Sequence, residues 1–206
     1  MIKANTPLTK VLTLVHDCKC EKCEHGCKFG SGFMTEEDIK KMAAFLKITE
    51  EELKEKYLDE FEKFHTKRHK PKIKKKDMPY GQCIFFGEEG CKVHPAKPLE
   101  CKIAMGCKEY GEDLITWFNL NYFVDPDDPQ SVREWAIYLE SGGNKIPGSE
   151  LNDLIKDKKE LKKILDYIKL GYEKDWEEEL GIKDLMEEER NENSKKSKGS
   201  PKKKSK

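Results

Sequence analysis

Apolar residues recur at helical spacing in several stretches of the chain, and Gly, Pro and Asp punctuate the gaps. In "MTEEDIKKMAAFL" (residues 34–46), Ile39, Met42, Ala43 and Leu46 form one stripe. Thr35 stands at the N-cap position, and Glu36, Glu37 and Asp38 suit the positive end of the helix dipole. A second helix is predicted from Thr49, with Glu52 completing a capping box and Ile48 and Leu53 forming a hydrophobic staple. Leu53, Tyr57, Phe61 and Phe64 continue its buried face. "DPDDP" (125–129) then breaks the chain. After it, Ser131 is placed to cap a helix with Glu134 as its box partner; Val132, Trp135, Ala136 and Leu139 line one face, and Gly142 and Gly143 end it. Ser149 opens another helix, with Leu151, Leu154, Ile155, Leu161, Ile164, Leu165 and Ile168 inward and a stop at Gly171. Tyr172, Trp176, Leu180 and Leu185 suggest a final acidic helix.

Strand patterns are fewer. In "CIFFGEEGCKVH" (83–94), two short β-like pieces flank Gly87–Gly90, the pattern of a hairpin. Leu114–Val124, rich in aromatic and β-preferring residues, reads as one more strand. Residues 16–32 read as an irregular, Gly-punctuated loop. These elements predict an α+β protein, mostly helical with a small β-hairpin. Residues 1–124 form a cysteine-cluster metal-binding domain, 125–190 a helical extension, and 191–206 a disordered basic tail that lacks apolar residues.

Composition sharpens this picture. Of 206 residues, 36% are hydrophobic and 39% charged, so the surface is dense in Lys and Glu. The formal net charge is zero but unevenly spread. The tail Asn191–Lys206 is basic, the segment before it is acidic, and a second basic run, "KRHKPKIKKK", spans Lys67–Lys76. Lys67–Lys76 and the Lys195–Lys206 tail offer electrostatic grip on nucleic acid, yet lack the interleaved aromatics of a single-strand platform. A solvated loop and a solubilising end are the simpler readings, and His65 and His69 read as solvated within that stretch. No apolar run reaches the roughly 20 residues of a membrane helix, and the start shows no cleavable leader pattern; a cytoplasmic location is expected. No Ser/His/Asp arrangement, phosphate loop or H-E-x-x-H helix is present.

The candidate chemistry lies in eight cysteines, arranged as Cys18, Cys20, Cys23, Cys27 and as Cys83, Cys91, Cys101, Cys107. A reducing cytosol disfavours disulfides, and buried inert thiols do not explain two groups of four. Four thiolates are the ligand count for one tetrahedral zinc or one cubane cluster. Cys20 and Cys23 make the one zinc-type knuckle; the second group is dispersed, which favours iron–sulfur over zinc on spacing. The groups can act separately, or ligands from both can converge on one site. A histidine among His16, His25 and His94 can also complete a site.

The pattern resembles the YkgJ-type cysteine-cluster family, a zinc- or iron-chelating domain. Cys20 and Cys23 match the first two cysteines of its C-x2-C-x2-C-C knot and Cys27 the last, "MTEEDIKKMAAFL" matches its helix, and "CIFFGEEGCKVHPAKPLECKIAMGC" matches its hairpin. Lys97-Pro98 stands for the family's Arg-Pro and Lys102 for its Arg. The adjacent Cys-Cys pair is missing; His25-Gly26 precedes Cys27, and Cys18 is an additional thiol. The resemblance covers about residues 16–110 and implies metal or cluster binding. A relative of the family is the flagellin lysine N-methylase, but no Gly-rich methyl-donor motif is visible here. The expectation is an iron–sulfur protein with a redox or cluster-assisted enzymatic role, with zinc as the alternative cofactor in an interaction module that binds RNA or an acidic protein.

Overall fold

The structure, a computed structural model, describes residues 1–16, 18, 20–74, 78, 80–168 and 176–198. It is α+β and divides into two compact units, Met1–Glu150 and Leu151–Lys206. The division falls after residue 150 rather than at 124, because the helix after "DPDDP" packs into the first unit. Among the described residues, no helix is long and apolar enough to cross a membrane.

The first unit opens with α1 (Leu8–Leu14) and α2 (Glu21–Phe29), followed by α3 (Glu36–Leu46) and α4 (Glu50–Tyr57). Thr35 caps α3 with a complete box: its hydroxyl accepts from the Asp38 N–H, and the Asp38 carboxylate accepts from the Thr35 N–H. At α4 only half of the expected box forms. Thr49 accepts from the Glu52 N–H, while the Glu52 carboxylate turns to Lys56 at 2.6 Å.

The predicted helix does not continue to Phe64. Leu58 goes extended, and β1 (Leu58–Lys63) pairs antiparallel with β2 (Thr66–Pro71), Lys63 opposite Thr66. The two turn residues, Phe64 and His65, both have positive φ (49° and 57°), the conformation of a tight primed turn that normally selects Asn-Gly. Tertiary contacts hold it instead. The Phe64 ring is buried edge-on against Trp135 (5.2 Å) and Tyr138 (5.8 Å). The His65 N–H donates to Glu134, and its Nδ1 meets the Asp128 carboxylate at 2.5 Å. His65 is therefore half-exposed but partnered.

The short hairpin forms as expected, β3 (Phe86–Gly87) with β4 (Gly90–Cys91). A turn of 3-10 helix at His94–Ala96 and α5 (Leu99–Ile103) follow. The stretch read as a strand is α6 (Gly111–Tyr122). Leu114, Trp117 and Phe118 recur at helical spacing and are buried, Glu112 and Asp113 sit in the first turn, and Trp117 Nε1 donates to the Thr6 carbonyl. Burial of one face outweighs the β preference of the individual residues. α6 starts against the Met105 carbonyl: a Cβ on Gly111 would lie 2.5 Å from that oxygen.

α7 (Pro129–Glu140) is capped by Asp128, with Pro129 at its first position, rather than by Ser131. Ser131 is buried, and its hydroxyl accepts from the Asp125 N–H. The core of the unit gathers Met34, Ile39, Met42, Leu53, Leu58, Phe85, Phe86 and Val93.

In the second unit the expected long helix is two, α8 (Leu151–Leu154) and α9 (Lys158–Leu165), because Asp157 caps a fresh start by accepting from the Lys159 and Glu160 N–H groups. Ser149 is instead buried in the first unit, its hydroxyl accepting from the Ile146 N–H. Leu161, Ile164 and Leu165 form the buried face of α9. α10 (Trp176–Glu179) and α11 (Lys183–Lys198) take the place of the acidic helix. α11 runs past residue 191, where a disordered tail was expected, and Gly171, Tyr172 and residues 199–206 lie outside the described residues.

Asp38 joins two parts of the first unit. Its buried Oδ2 accepts from the Thr35 N–H (2.9 Å), the Thr35 hydroxyl (2.9 Å) and the Leu99 N–H (3.1 Å), so it ties the start of α3 to α5. Asp38→Ala leaves buried donors unsatisfied and is expected to destabilise the fold by about 3 kcal/mol in denaturant titration. The His65–Asp128 contact gives a pH signature. The Asp128 hydrogen bond raises the His65 pKa above its ordinary value. The stability it adds is complete below about pH 6.5 and is lost as pH rises through the raised value. Thermal midpoints should therefore fall across that range in the wild type, less so at high salt, and His65→Gln should flatten the slope.

Candidate metal centre

The segment read as a loop is largely helix α2. Cys20 is its N-cap, in extended conformation (φ −74°, ψ 157°), and its carbonyl accepts from the Cys23 and Glu24 N–H groups, both at 3.0 Å. Glu21 and Glu24 occupy the first turn and Lys28 the last, as the dipole favours. The helix places Cys23 and Cys27 one turn apart. Cys18 and Cys20 lie on the chain entering the helix, and Cys107 lies on the connection between α5 and α6.

This arrangement brings Cys18, Cys20, Cys23 and Cys107 together, their sulfurs all within 4.8 Å of one another. Cys23 Sγ is 3.4 Å from Cys107 Sγ, and Cys107 Sγ is 3.8 Å from Cys18 Sγ. A tetrahedron with metal–sulfur bonds of about 2.3 Å has sulfurs about 3.8 Å apart. The four thiols therefore have the donor chemistry and the spacing for one tetrahedral zinc or iron ion. All eight cysteines are free thiols.

Crowding separates their acidities. The Cys23 N–H and proton sharing with Cys18 lower the Cys20 thiol to about 7. Desolvation and the hydrogen bond with Cys107 push Cys23 up to about 12. At Cys18 the Cys20 N–H pulls the thiol down, but sharing with Cys20 and Cys107 outweighs it, and the net direction is up. Without a cation, the group ionises at Cys20 first and resists further charge.

The other four thiols, Cys27, Cys83, Cys91 and Cys101, line one cavity of about 340 Å³, which Cys23 also borders. The two sequence groups have thus exchanged one member each: Cys107 joins the first three, and Cys27 joins the last three. No three of these other thiols approach one another as closely as the first quartet does. The Cys83 N–H donates to the Cys27 carbonyl at 2.9 Å. Burial raises Cys83 to about 11, although the Phe85 and Phe86 N–H groups donate to its sulfur. Burial also raises Cys101 and Cys27; Lys97 opposes the rise at both, and the Gly32 N–H donates to Cys101.

No histidine joins the first quartet. The His16 N–H donates to the Met105 sulfur, His25 packs on Phe29, and His94 lies near Cys91 at the edge of the cluster region. The pattern of thiols did not point to Gly32 or Glu100. A Cβ on Gly32 would lie 2.5 Å from Cys101 Sγ, and buried Glu100 accepts from the Phe33 N–H at 2.5 Å beside the same cavity. The "FGSGF" spelling of residues 29–33 was the one available signal of that close approach.

The basic run is not a solvated loop. Lys67 pairs with Glu60 at 3.2 Å, Arg68 Nε donates to the Tyr122 carbonyl, and Lys70 lies 3.9 Å over the Phe61 ring. Lys72 donates to the Glu55 and Lys56 carbonyls at the end of α4, and Lys74 to the Phe86 carbonyl. Lys75 and Lys76 lie outside the described residues.

A family model described as "CxxCxxCC: Putative zinc- or iron-chelating domain" matches residues 19–119, and by that match this cysteine-bearing part of the chain belongs to the family. The matched span takes in seven of the eight thiols, all but Cys18. No curated protein and no solved structure matches the chain.

The acidities give a direct test in metal-free protein. The thiolate is the reactive form, so Cys20 should alkylate first, with a rate that rises through about pH 7 and levels off above it. Cys23 should react far more slowly. Peptide mapping after timed iodoacetamide exposure reads both, and added zinc should protect Cys20.

Proposed function

We propose that the first unit is a metal-binding module in which Cys18, Cys20, Cys23 and Cys107 hold a single tetrahedral ion, zinc or iron. The observation that carries this reading is the close approach of four thiol sulfurs, all within 4.8 Å. A cubane carries its thiolates on separate iron corners and spreads them more widely, so the compact quartet favours one ion. Four protein ligands complete a tetrahedron and leave no open position, which is the form of a structural rather than a catalytic site.

When bound, the ion supplies charge neutralisation and four strong bonds. The chain's contribution is placement. The Cys23 N–H directed at Cys20 stabilises the first thiolate, and α2 fixes Cys23 toward Cys107. Closing residues 18–23 onto residue 107 ties the entry of α2 to the start of α6, so metal binding is coupled to folding of the unit. Reduced thiols suit a cytoplasmic setting. An RNA-binding role draws little support from Lys67–Lys76, whose described cations are engaged within the chain.

Anaerobic purification followed by metal analysis tests the reading. One tightly held zinc or iron per chain is expected, lost in Cys20→Ser and in Cys107→Ser, with a lower thermal midpoint in each. Full retention of that ion in both variants would remove the quartet from the ligand list. In the wild type, free metal at a thousandfold excess over Kd should raise the unfolding free energy by about 4 kcal/mol.

A further inference from the structure

We infer that the quartet is a redox-gated metal site: a hydroperoxide joins Cys23 to Cys107 as a disulfide, the ion leaves, and the new bond takes over its tie between α2 and the connection leading to α6. The inference rests on the reading of the quartet as metal ligands and adds the regulation of that site.

Three features of the Cys23–Cys107 pair carry it. Their sulfurs are 3.4 Å apart, nearer than the 3.8 Å between Cys107 and Cys18. The Cys107 N–H is also directed at the Cys23 sulfur. The two backbones, moreover, touch beside the pair, since a Cβ on Gly106 would lie 3.0 Å from the Lys22 carbonyl oxygen. A disulfide needs sulfurs about 2.05 Å apart on neighbouring chain segments. With the segments already in contact, closing the gap falls to side-chain rotation. The thiols left over, Cys18 and Cys20, are separated by one residue, where a disulfide would close a small, strained ring.

The pair is also within reach of a small oxidant. All four sulfurs are half-buried rather than sealed. Cys23 borders an open cavity of about 630 Å³ together with Met105 and Gly106, and shares one of about 180 Å³ with Cys18. Ligation makes every sulfur a thiolate. In the loaded site, proximity and access therefore choose the pair, whatever the acidity order of the free thiols.

The chemistry balances with one peroxide. A thiolate electron pair attacks the O–O bond, giving a sulfenic acid and hydroxide. The neighbouring thiolate displaces a second hydroxide from that sulfur and forms the S–S bond. Two protons from solvent turn the hydroxides to water. The sulfurs lose two electrons, the peroxide gains them, and the ion keeps its charge. It retains only Cys18 and Cys20, because the thiolate is the ligand form and the disulfide is not. The new bond joins positions 84 residues apart, and a cross-link over a long loop stabilises by restricting the unfolded chain. The first unit thus keeps its fold when the metal goes. A dithiol reductant reverses the step by exchange and is itself oxidised to a disulfide.

The test uses the full chain loaded with zinc, which has no redox chemistry of its own. One equivalent of hydrogen peroxide should release zinc to a colorimetric chelator, one ion per disulfide formed. Peptide mapping without reduction should find Cys23 bonded to Cys107, circular dichroism should stay unchanged, and dithiothreitol with zinc should restore the loaded form. Zinc retained after oxidation, release accompanied by unfolding, or a Cys20–Cys23 bond in place of Cys23–Cys107 would each overturn the inference. Metal-free protein gives an arm that does not depend on the ion. Oxidised, it should carry the same disulfide and melt above its reduced form; another pairing, or no rise in the midpoint, counts against the tie. Absence of bound zinc before any oxidant is added instead sinks the quartet as a metal site, and the metal-free arm then judges the disulfide on its own.

Discussion

Thiols packed within 4.8 Å of one another resist ionising together unless a cation lies among them. That constraint organises the first unit. The Cys23 N–H draws the Cys20 thiol down and desolvation drives the Cys23 thiol up, and hydrogen bonds shared among the sulfurs add to both. A divalent ion bound there would replace those protons and turn mutual repulsion into four bonds. The quartet also joins positions 84 residues apart, from Cys23 to Cys107. The contacts that fix α2 and the start of α6 are therefore also contacts that shape the site.

Elsewhere the unit is held by a few buried polar junctions rather than by regular capping alone. Asp38 serves its own helix and the α5 backbone together. The β1–β2 turn accepts two left-handed residues because Phe64 is buried on Trp135 and Tyr138, while Asp128 and Glu134 satisfy His65. Removing any of these leaves either a buried donor or an unfavourable backbone without compensation. The dense surface charge follows the same logic: lysines of the basic run are spent on carbonyls, a carboxylate and an aromatic ring inside the chain.

How much of this was legible in the sequence depended on whether the signal was local. The helix at Thr35 and the short hairpin at Gly87–Gly90 were readable because a cap, an acidic first turn and a glycine turn are properties of adjacent residues. The metal chemistry was readable from eight thiols in two crowded groups. α2 was missed because Cys20 is a poor sequence signal for an N-cap. α6 was read as a strand because Ile115, Thr116, Trp117 and Phe118 favour strands singly, while the i, i+3, i+4 burial of Leu114, Trp117 and Phe118 is a tertiary fact. β1 was read as helix because its turn lacks the Asn-Gly signal and depends on α7 instead.

The regrouping of the cysteines has the same origin and carries the most functional weight. Sequence order places Cys27 with Cys18, Cys20 and Cys23, and Cys107 with Cys83, Cys91 and Cys101. Spacing along the chain specifies ligands only when the chain between them is a short loop. A helix changes the rule: Cys23 and Cys27 are one turn apart, about 5.4 Å along the axis. Two ligands four residues apart on a helix can serve one ion, but here Cys27 is not among the thiols within 4.8 Å of one another and instead borders the cavity with Cys83, Cys91 and Cys101. The fourth sulfur of the compact set comes from the connection bearing Cys107. α2 thus carries one thiol of the compact set, Cys23, and one that stands outside it, Cys27.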